Sequence, residues 1–176
     1  MEDFLAGTMP TIWCDAYRRM TAQLPQLLTV TDGGYQYIFD LVATGSGSQA
    51  HDRVVVCWGR AHAPQGNRDA DRMSGFIGSS ASLDANTLRD KGHMMSHGTG
   101  GGLDINLYPQ RRDLNQRRKS NPASYVYAAM EKYTREHQDI FYFNRLLYND
   151  HTWIPRWIEF GLVKLDGSLW VEVFDN

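Results

Sequence analysis

The segment from Arg89 to Gln116 constrains the fold of this chain more than any other. It places a histidine, His93, ahead of a glycine-rich connector, Gly98–Gly102. Apolar and polar residues then alternate over 103–107, which predicts a strand with one apolar face. The segment is therefore expected to form a strand or turn at His93, then a loop and a second strand.

A helix is predicted directly after this second strand. Pro109 should end the strand, because proline cannot donate to a ladder of backbone hydrogen bonds. Asp113 is expected to cap a helix that carries Asn115 on its early turns. Folded in this way, the segment would bring the imidazole of His93 and the carboxamide of Asn115 to one small polar site.

The two side chains at this site suggest the hydrolysis of a phosphodiester. A histidine with an ordinary pKa near ~6.5 can take a proton from water at neutral pH. A neutral amide oxygen is a hard ligand that suits Mg²⁺, which keeps most of its waters and takes few protein ligands. One base for the water and one cation for the phosphate are sufficient for this reaction.

Two motifs in the segment resemble those of a known enzyme family. The first is Asp90-Lys91-Gly92-His93, and the second is the unbroken run Asn106–Gln116, with the sequence NLYPQRRDLNQ. Together they resemble the DNA/RNA non-specific endonucleases of the ββα-metal, or His-Me finger, type. Members of that family carry Asp-Arg-Gly-His followed by Asn-(x)-x-Pro-Gln-x-x-Asp-Leu-Asn-Gln. The resemblance covers residues 84–136.

The resemblance implies a role for each matching residue. His93 matches the general base, and Asn115 matches the single protein ligand of Mg²⁺, for which Mn²⁺ is a substitute. Asn106 matches an asparagine that supports the base and the metal site. Glu131 and Arg135, four residues apart on the next helix, match a glutamate that holds metal-bound waters and an arginine that binds phosphate.

Two departures from the family pattern are visible. Lys91 stands where the family usually has arginine, so the positive charge is kept but the bidentate phosphate geometry is lost. The interval from Asn115 to Glu131 is longer than in the best-known members. Lys91 and Arg135 are still expected to hold the substrate phosphate.

The charge distribution also favours a polyanionic substrate. The whole chain has a net charge of -2, but residues 86–120 hold seven basic and three acidic side chains. A local positive field attracts nucleic acid, and an acidic remainder limits binding elsewhere. A solvated helix end is the alternative explanation. Beside the motif we favour phosphate contact, with Arg111 and Arg112 as substrate-binding residues.

The rest of the chain predicts an α+β fold in a single domain, residues 1–176, with a mostly antiparallel sheet, packed helices and a central ββα-metal motif. Helices are predicted over 11–24 and from Asn121-Pro122 onward. Strands are predicted over 27–31, 35–42, 53–58, 140–147, 157–165 and 169–174.

Reactive or charged residues outside the motif have simpler explanations. Cys14 and Cys57 are expected to be buried reduced thiols, with one disulfide as the alternative. An irregular region over 59–84 carries arginines that are expected to lie on the surface, although one of them could reach the substrate. His62, in the same region, is expected to be exposed and without a role.

The sequence thus predicts a metal-dependent endonuclease that cuts DNA with little sequence preference, RNA being left open as a second substrate. The tail after the motif is similar to toxin-type family members, which implies a small acidic immunity protein as a partner. A scavenging nuclease without a partner is one alternative. A catalytically inactive nucleic-acid- or protein-binding module on the same fold is another.

The chain offers no sign of membrane association. No apolar run approaches the ~20 residues of a membrane span. The first residues, Met1-Glu2-Asp3, lack the basic region of a signal peptide. We therefore expect a protein of the bacterial cytoplasm, or one delivered into a target cell by a secretion system.

Overall fold

The computed structural model describes residues 1–21, 25–44, 51–64, 66, 89–102, 104–150 and 152–176. The helices in these ranges are α1 (Glu2–Gly7), α2 (Met9–Met20), α3 (Arg112–Asn115) and α4 (Ala123–Glu136). The strands are β1 (Leu27–Asp32), β2 (Tyr35–Thr44), β3 (His51–Arg60), β4 (Arg89–His93), β5 (Leu107–Arg111), β6 (Phe141–Leu147), β7 (Trp157–Val163) and β8 (Leu169–Asp175).

The strands form one large sheet and one small ribbon. The large sheet has the order β1-β2-β3-β6-β7-β8, and all its neighbouring strands are antiparallel. β4 and β5 form a separate antiparallel ribbon. In sequence, the ribbon, α3 and α4 all lie between the adjacent strands β3 and β6. The predicted α+β class with a mostly antiparallel sheet is confirmed.

The large sheet separates α2 from the ribbon. Successive side chains of a strand point to opposite faces, and β6 shows the consequence. Phe143 packs against Trp13 of α2, with 4.8 Å between the ring centroids. The next residue, Asn144, donates a hydrogen bond to the carbonyl oxygen of Met94, directly after β4. α2 therefore covers one face of the sheet and the ribbon covers the other.

Helix α4 fills the space between the ribbon and the sheet. The ring of Tyr127 lies 5.7 Å from that of Phe160 in β7 and 5.2 Å from that of Phe174 in β8. The hydroxyl of Tyr127 also lies 3.5 Å from the hydroxyl of Tyr108 in β5. Met130, one turn further along, is fully buried. These aromatic contacts fix α4 relative to both sheets.

Asn176 connects the ribbon to the end of the large sheet. Its Oδ1 atom accepts a hydrogen bond from the backbone N–H of Arg111, 2.9 Å away. Its Nδ2 atom donates to the carbonyl oxygens of Pro109, at 3.0 Å, and Pro155, at 2.8 Å. The buried amide thus pairs with the outer edge of β5 in the place of a further strand.

The second strand of the ribbon lies later in the sequence than predicted. Residues Asp104–Asn106 form a 3₁₀ turn, so the strand predicted over 103–107 is wrong for these three residues and right for Leu107. Residue 103 lies outside the described residues. Pro109 does not end the strand but lies inside it, opposite Lys91. A two-stranded ribbon has only edge strands, which tolerate a missing backbone donor.

The predicted helix caps also differ from the structure. Asp113 lies within α3 and pairs with Arg111, so it is not the cap. Asn115 is the last residue of this four-residue helix. Pro122, and not Asn121, is the residue that precedes α4. Backbone hydrogen bonds among these closely spaced turns replace the side-chain caps that the sequence suggested.

Other sequence signals are confirmed. The turn between β1 and β2 is Gly33-Gly34, with φ values of 56° and 85° that favour glycine at both positions. Cys57 is a buried free thiol as predicted, whereas Cys14, which was also predicted to be buried, is a half-buried free thiol. The helix predicted over 11–24 ends at Met20, because Thr21 is extended, and residues 22–24 lie outside the described residues. Arg68 and Arg72 of the irregular region also lie outside them.

Candidate active site

The ribbon and α3 bring the two sequence motifs together. β4 ends at His93, which pairs with Leu107 at the start of β5. β5 continues into α3, and the chain turns back until the Nδ2 atom of Asn115 donates a hydrogen bond to Asp90, 3.0 Å away. His93 lies three positions beyond Asp90 on the same strand, or ~10 Å along its axis.

The carboxylate of Asp90 organises the end of α3. It accepts hydrogen bonds from Nδ2 of Asn115, from Nε2 of Gln116 at 2.9 Å, and from Nε of Arg112 at 2.8 Å. Desolvation on its own would raise the pKa of Asp90, but the hydrogen bonds from Asn115 and Arg112 outweigh it and the pKa is lowered. The carboxylate is therefore charged at neutral pH and holds three donors.

Buried hydrogen bonds hold the chain directly after His93. The side chain of His93 is half-buried, and its Nε2 atom is enclosed by the protein. The N–H of Met94 donates to the carbonyl oxygen of Asn106, at 2.9 Å, and its own carbonyl accepts from Asn144. The ribbon fixes the chain before His93, and these bonds fix it afterwards.

Asn106 is a positioning residue in this geometry. Its side chain is fully buried. The Oδ1 atom accepts from the N–H of Met95, at 2.8 Å, and Nδ2 donates to the carbonyl oxygens of Met95, at 2.7 Å, and Gly102, at 2.9 Å. All of these partners belong to the loop that joins His93 to β5. Asn106 therefore supports the shape of the loop through its backbone.

The glycine-rich loop is fixed to the large sheet through Thr99. Its Oγ1 atom lies 2.5 Å from the hydroxyl of Tyr142 in β6, and its carbonyl oxygen accepts a hydrogen bond from the hydroxyl of Tyr35 in β2. Close packing requires glycine here, because a Cβ at Gly101 would overlap the carbonyl oxygen of Met95. The predicted hairpin connector is thus a compact, anchored loop.

His62 is half-buried, so the prediction that it is exposed is wrong. Its ring stacks on Tyr35, with 5.3 Å between centroids. Its Nε2 atom lies 2.7 Å from the carbonyl oxygen of Gly33, and its Nδ1 atom lies 3.0 Å from that of Ala63. A Cβ at Gly100 would overlap the ring. His62 therefore joins the β1–β2 turn to the glycine-rich loop.

Helix α4 places Glu131 against the ribbon. Burial raises the pKa of Glu131 to about 7, and the nearby charge of Arg135 counteracts only part of that rise. The charge of Glu131 in turn raises the pKa values of Tyr108, in β5, and Tyr127, although burial of each hydroxyl is the larger cause. Glu131 therefore stays partly protonated at neutral pH.

Arg135 lies against the loop instead of the ribbon. Its Cγ and Cδ atoms pack on Gly98, where a Cβ would lie 3.1 Å from Cδ. The side chain as a whole is exposed. The guanidinium is thus carried over the loop that follows His93, where it is accessible to a phosphate.

The other predicted basic residues have different surroundings. Lys91 is half-buried on β4, and burial lowers its pKa. It shares the alternate positions of β4 with His93, whereas Asp90 points to the other face. Arg111 forms a two-point ion pair with Asp113, with nitrogen–oxygen distances of 3.0 and 2.6 Å.

These internal ion pairs reduce the positive field predicted from the sequence. Arg112 is paired with Asp90, and Arg89 is buried. A substrate contact from Arg111 or Arg112 would have to share a guanidinium that already binds a carboxylate, and both contacts stay predictions. The exposed basic residues of this region follow α3: Arg117, Arg118 and Lys119.

Sequence reasoning missed three residues that shape this site. Asp90 was part of a quoted motif, but the sequence gave no sign that it binds the far end of the segment. Asn144 and Thr99 are polar residues without a distinctive pattern, and only the fold brings them to the loop. A buried polar residue inside an apolar strand, as at Asn144, is the one usable signal.

The donor set suits a hydrated cation held by one protein oxygen. Nδ2 of Asn115 is taken by Asp90, which leaves the exposed Oδ1 as a hard neutral ligand. In the described ranges, no three His, Cys, Asp or Glu side chains lie together to form a metal cage. Mg²⁺ often keeps several waters and uses one or two protein groups, so a single amide oxygen fits it.

No protein-family model and no curated protein matches the chain. None of the helices in the described ranges has the length and apolar content needed to cross a membrane.

Proposed function

We propose that the chain is a metal-dependent endonuclease that hydrolyses DNA with little sequence preference, RNA being a second candidate substrate. One observation carries the proposal: a strand, a loop, a strand and a helix hold His93 and Asn115 on one unit. His93 is fixed at the end of β4, and the amide of Asn115 is turned so that its oxygen is left for a cation.

Each residue of the candidate site has its own role in the proposed reaction. His93 takes a proton from the water that attacks phosphorus in line, which increases the nucleophilicity of that water. The bond from phosphorus to the 3′-oxygen breaks, and the products carry a 3′-hydroxyl and a 5′-phosphate. Asn115 holds Mg²⁺ or Mn²⁺, which when bound neutralises the charge that develops on the phosphate. Glu131, in its charged form, orients the waters of that ion. Lys91 and Arg135 bind the phosphate, and Asn106 keeps the loop after His93 in place.

A plasmid assay tests this proposal. Supercoiled DNA is incubated with the protein, with Mg²⁺ or with a chelator, beside His93→Ala. We expect nicking that requires the metal and falls by about 10²- to 10⁴-fold in His93→Ala, the usual contribution of a general base. The same comparison with RNA decides the second substrate.

A second histidine provides the matched control. His97 lies in the same loop and is half-buried like His93, but it is not part of the proposed chemistry. His97→Ala should keep most of the activity. Loss of activity in His97→Ala alone would move the base to that residue. Intact DNA and RNA under every metal would leave a binding module as the function, which a gel-shift assay with the same nucleic acids would detect.

A further inference from the structure

We propose that Asp90 is a positioning residue that selects the orientation of the Asn115 amide and so presents its oxygen to the cation. The role as a cation site rests on the proposed function. The orientation itself rests only on the contacts between the two side chains. Asp90 thereby acts on the metal through Asn115 and not by direct contact.

An amide can take two orientations of nearly equal shape. Rotation by 180° exchanges the oxygen with the nitrogen, and only hydrogen-bond partners distinguish the two. An ionised carboxylate accepts hydrogen bonds but cannot donate one. It therefore attracts Nδ2 of Asn115, at the observed 3.0 Å, and would repel Oδ1 in the same place. The charge makes this hydrogen bond about twice as strong as a neutral one.

The neighbouring residues strengthen the selection. Gln116 also turns its nitrogen towards Asp90, at 2.9 Å, and its Oε1 atom accepts a hydrogen bond from Arg118, at 2.9 Å. Arg112 donates to the other oxygen of the carboxylate, at 2.8 Å. Within the described part of the chain, the Oδ1 atom of Asn115 is thus the amide oxygen at this end of α3 that accepts no hydrogen bond from protein.

The three donors also explain why Asp90 is not a direct metal ligand. Both carboxylate oxygens already accept hydrogen bonds, two of them on the oxygen nearest Asn115. The side chain of Asp90 is only 14% exposed, whereas Asn115 is exposed. The exposed amide is the group that a hydrated cation can reach.

A thermodynamic cycle tests the proposal with Mn²⁺ as the probe. Mn²⁺ affinity is measured on the whole chain by calorimetry for the parent, Asp90→Asn, Asn115→Ala and the double variant. Asp90→Asn should weaken binding by about 10- to 100-fold, the usual effect of losing a group that orients a ligand. In the Asn115→Ala background the same change should have no further effect, because the residue that it acts through is gone.

A matched variant separates positioning from helix stability. Asp113→Asn removes the ion pair with Arg111 on the same helix but touches neither amide of the site. It should keep the Mn²⁺ affinity of the parent. Equal losses in Asp113→Asn and Asp90→Asn would overturn the proposal in favour of a structural role. A further loss in the double variant would overturn it in favour of direct ligation.

A metal-free measurement distinguishes failure of this proposal from failure of the proposed function. The side-chain NH₂ group of Asn115 should show restricted motion by ¹⁵N relaxation in the parent. In Asp90→Asn its motion should approach that of the exposed Asn149. A chain that binds no Mn²⁺ but shows this difference refutes the nuclease and keeps the positioning role. An Asn115 side chain that is equally mobile in both proteins refutes the positioning role.

Discussion

The strand end that carries His93 and the helix end that carries Asn115 are held by different kinds of bond. The loop after His93 is held by buried neutral groups: the amide of Asn106, the amide of Asn144 and the hydroxyl of Thr99. Around Asn115 the partners are charged and partly exposed, with Asp90 paired to Arg112. The proposed base thus depends on the packed core, whereas the proposed metal ligand depends on surface electrostatics.

This difference has consequences for how each side responds to its surroundings. Salt screens exposed charges over about 10 Å at 0.1 M ionic strength but has little effect on buried neutral hydrogen bonds. Removal of a buried partner leaves unsatisfied groups that cost about 1–3 kcal/mol each. Mutations in the loop after His93 should therefore lower the stability strongly, and salt should change that loss little. Mutations of the charged groups near Asn115 should lower the stability less, and salt should reduce that loss.

The largest expected effect is on the His93 side. Asn106→Leu removes two buried hydrogen bonds to Met95 and a part-buried one to Gly102, and the backbone groups of Met95 and Gly102 lose these partners. We expect the free energy of unfolding to fall by about 3–5 kcal/mol in urea denaturation. Asn149→Leu, at an exposed asparagine, is the control and should change it by less than about 0.5 kcal/mol. Similar losses of unfolding free energy in the two variants would contradict the idea that buried hydrogen bonds hold the loop after His93.

An intermediate effect is expected from Glu131, which lies against the ribbon. Its pKa is raised from 4.5 to about 7, so the folded state binds the proton more tightly than the unfolded chain. The proton on Glu131 contributes its full amount to the free energy of unfolding below pH 4.5, and this contribution is lost as the pH rises through 7. Glu131→Gln should therefore be more stable than the parent by about 1–3 kcal/mol at pH 8 and equal to it near pH 4.

A bound cation should favour the charged form of Glu131 over the protonated form, which tests whether Glu131 belongs to the metal site. A nearby divalent ion favours the charged form of a carboxylate. Thermal unfolding with Mg²⁺ should thus narrow the gap between Glu131→Gln and the parent at pH 8. If Mg²⁺ leaves this difference in thermal stability unchanged, Glu131 is not part of the metal site.

The smallest expected effect is on α3, the helix that carries Asn115 and is held by charged groups. Asp113→Asn removes a half-exposed ion pair with Arg111, whose side chains are 25% and 31% exposed. Such pairs contribute about 0.2–1 kcal/mol, and salt screens them. Urea denaturation in 0.05 M and 1 M NaCl should show this small loss only at low salt. A loss above about 2 kcal/mol, or one that persists in 1 M salt, would contradict a purely electrostatic support.

The sequence was most informative where a local pattern has a local cause. The glycines at 33 and 34 predict their turn because few other residues adopt positive φ twice in succession. The alternation over 103–107 was misleading for the opposite reason. Asn106 is buried and binds Met95, 11 residues earlier in the chain, so its polar side chain belongs to the loop and a 3₁₀ turn precedes the strand.

The candidate site could be predicted in its residues but not in its supports. His93 and Asn115 belong to motifs that are visible in the sequence. Thr99 and Asn144, which hold the loop after His93, are ordinary polar residues, and only the fold brings them to that loop. His62 shows the same limit, because its stacking on Tyr35 depends on the pairing of β2 and β3.

The amide of Asn176 determines when during synthesis the ribbon can be completed. The N–H of Arg111 donates to Asn176, which lies 65 residues later in the chain and is therefore synthesised after it. At a translation rate of about 5–20 residues per second, the ribosome needs roughly 3–13 seconds to add them. The outer edge of β5 stays open during that interval. The buried amide that covers this edge is therefore in place only after residue 176 has been synthesised.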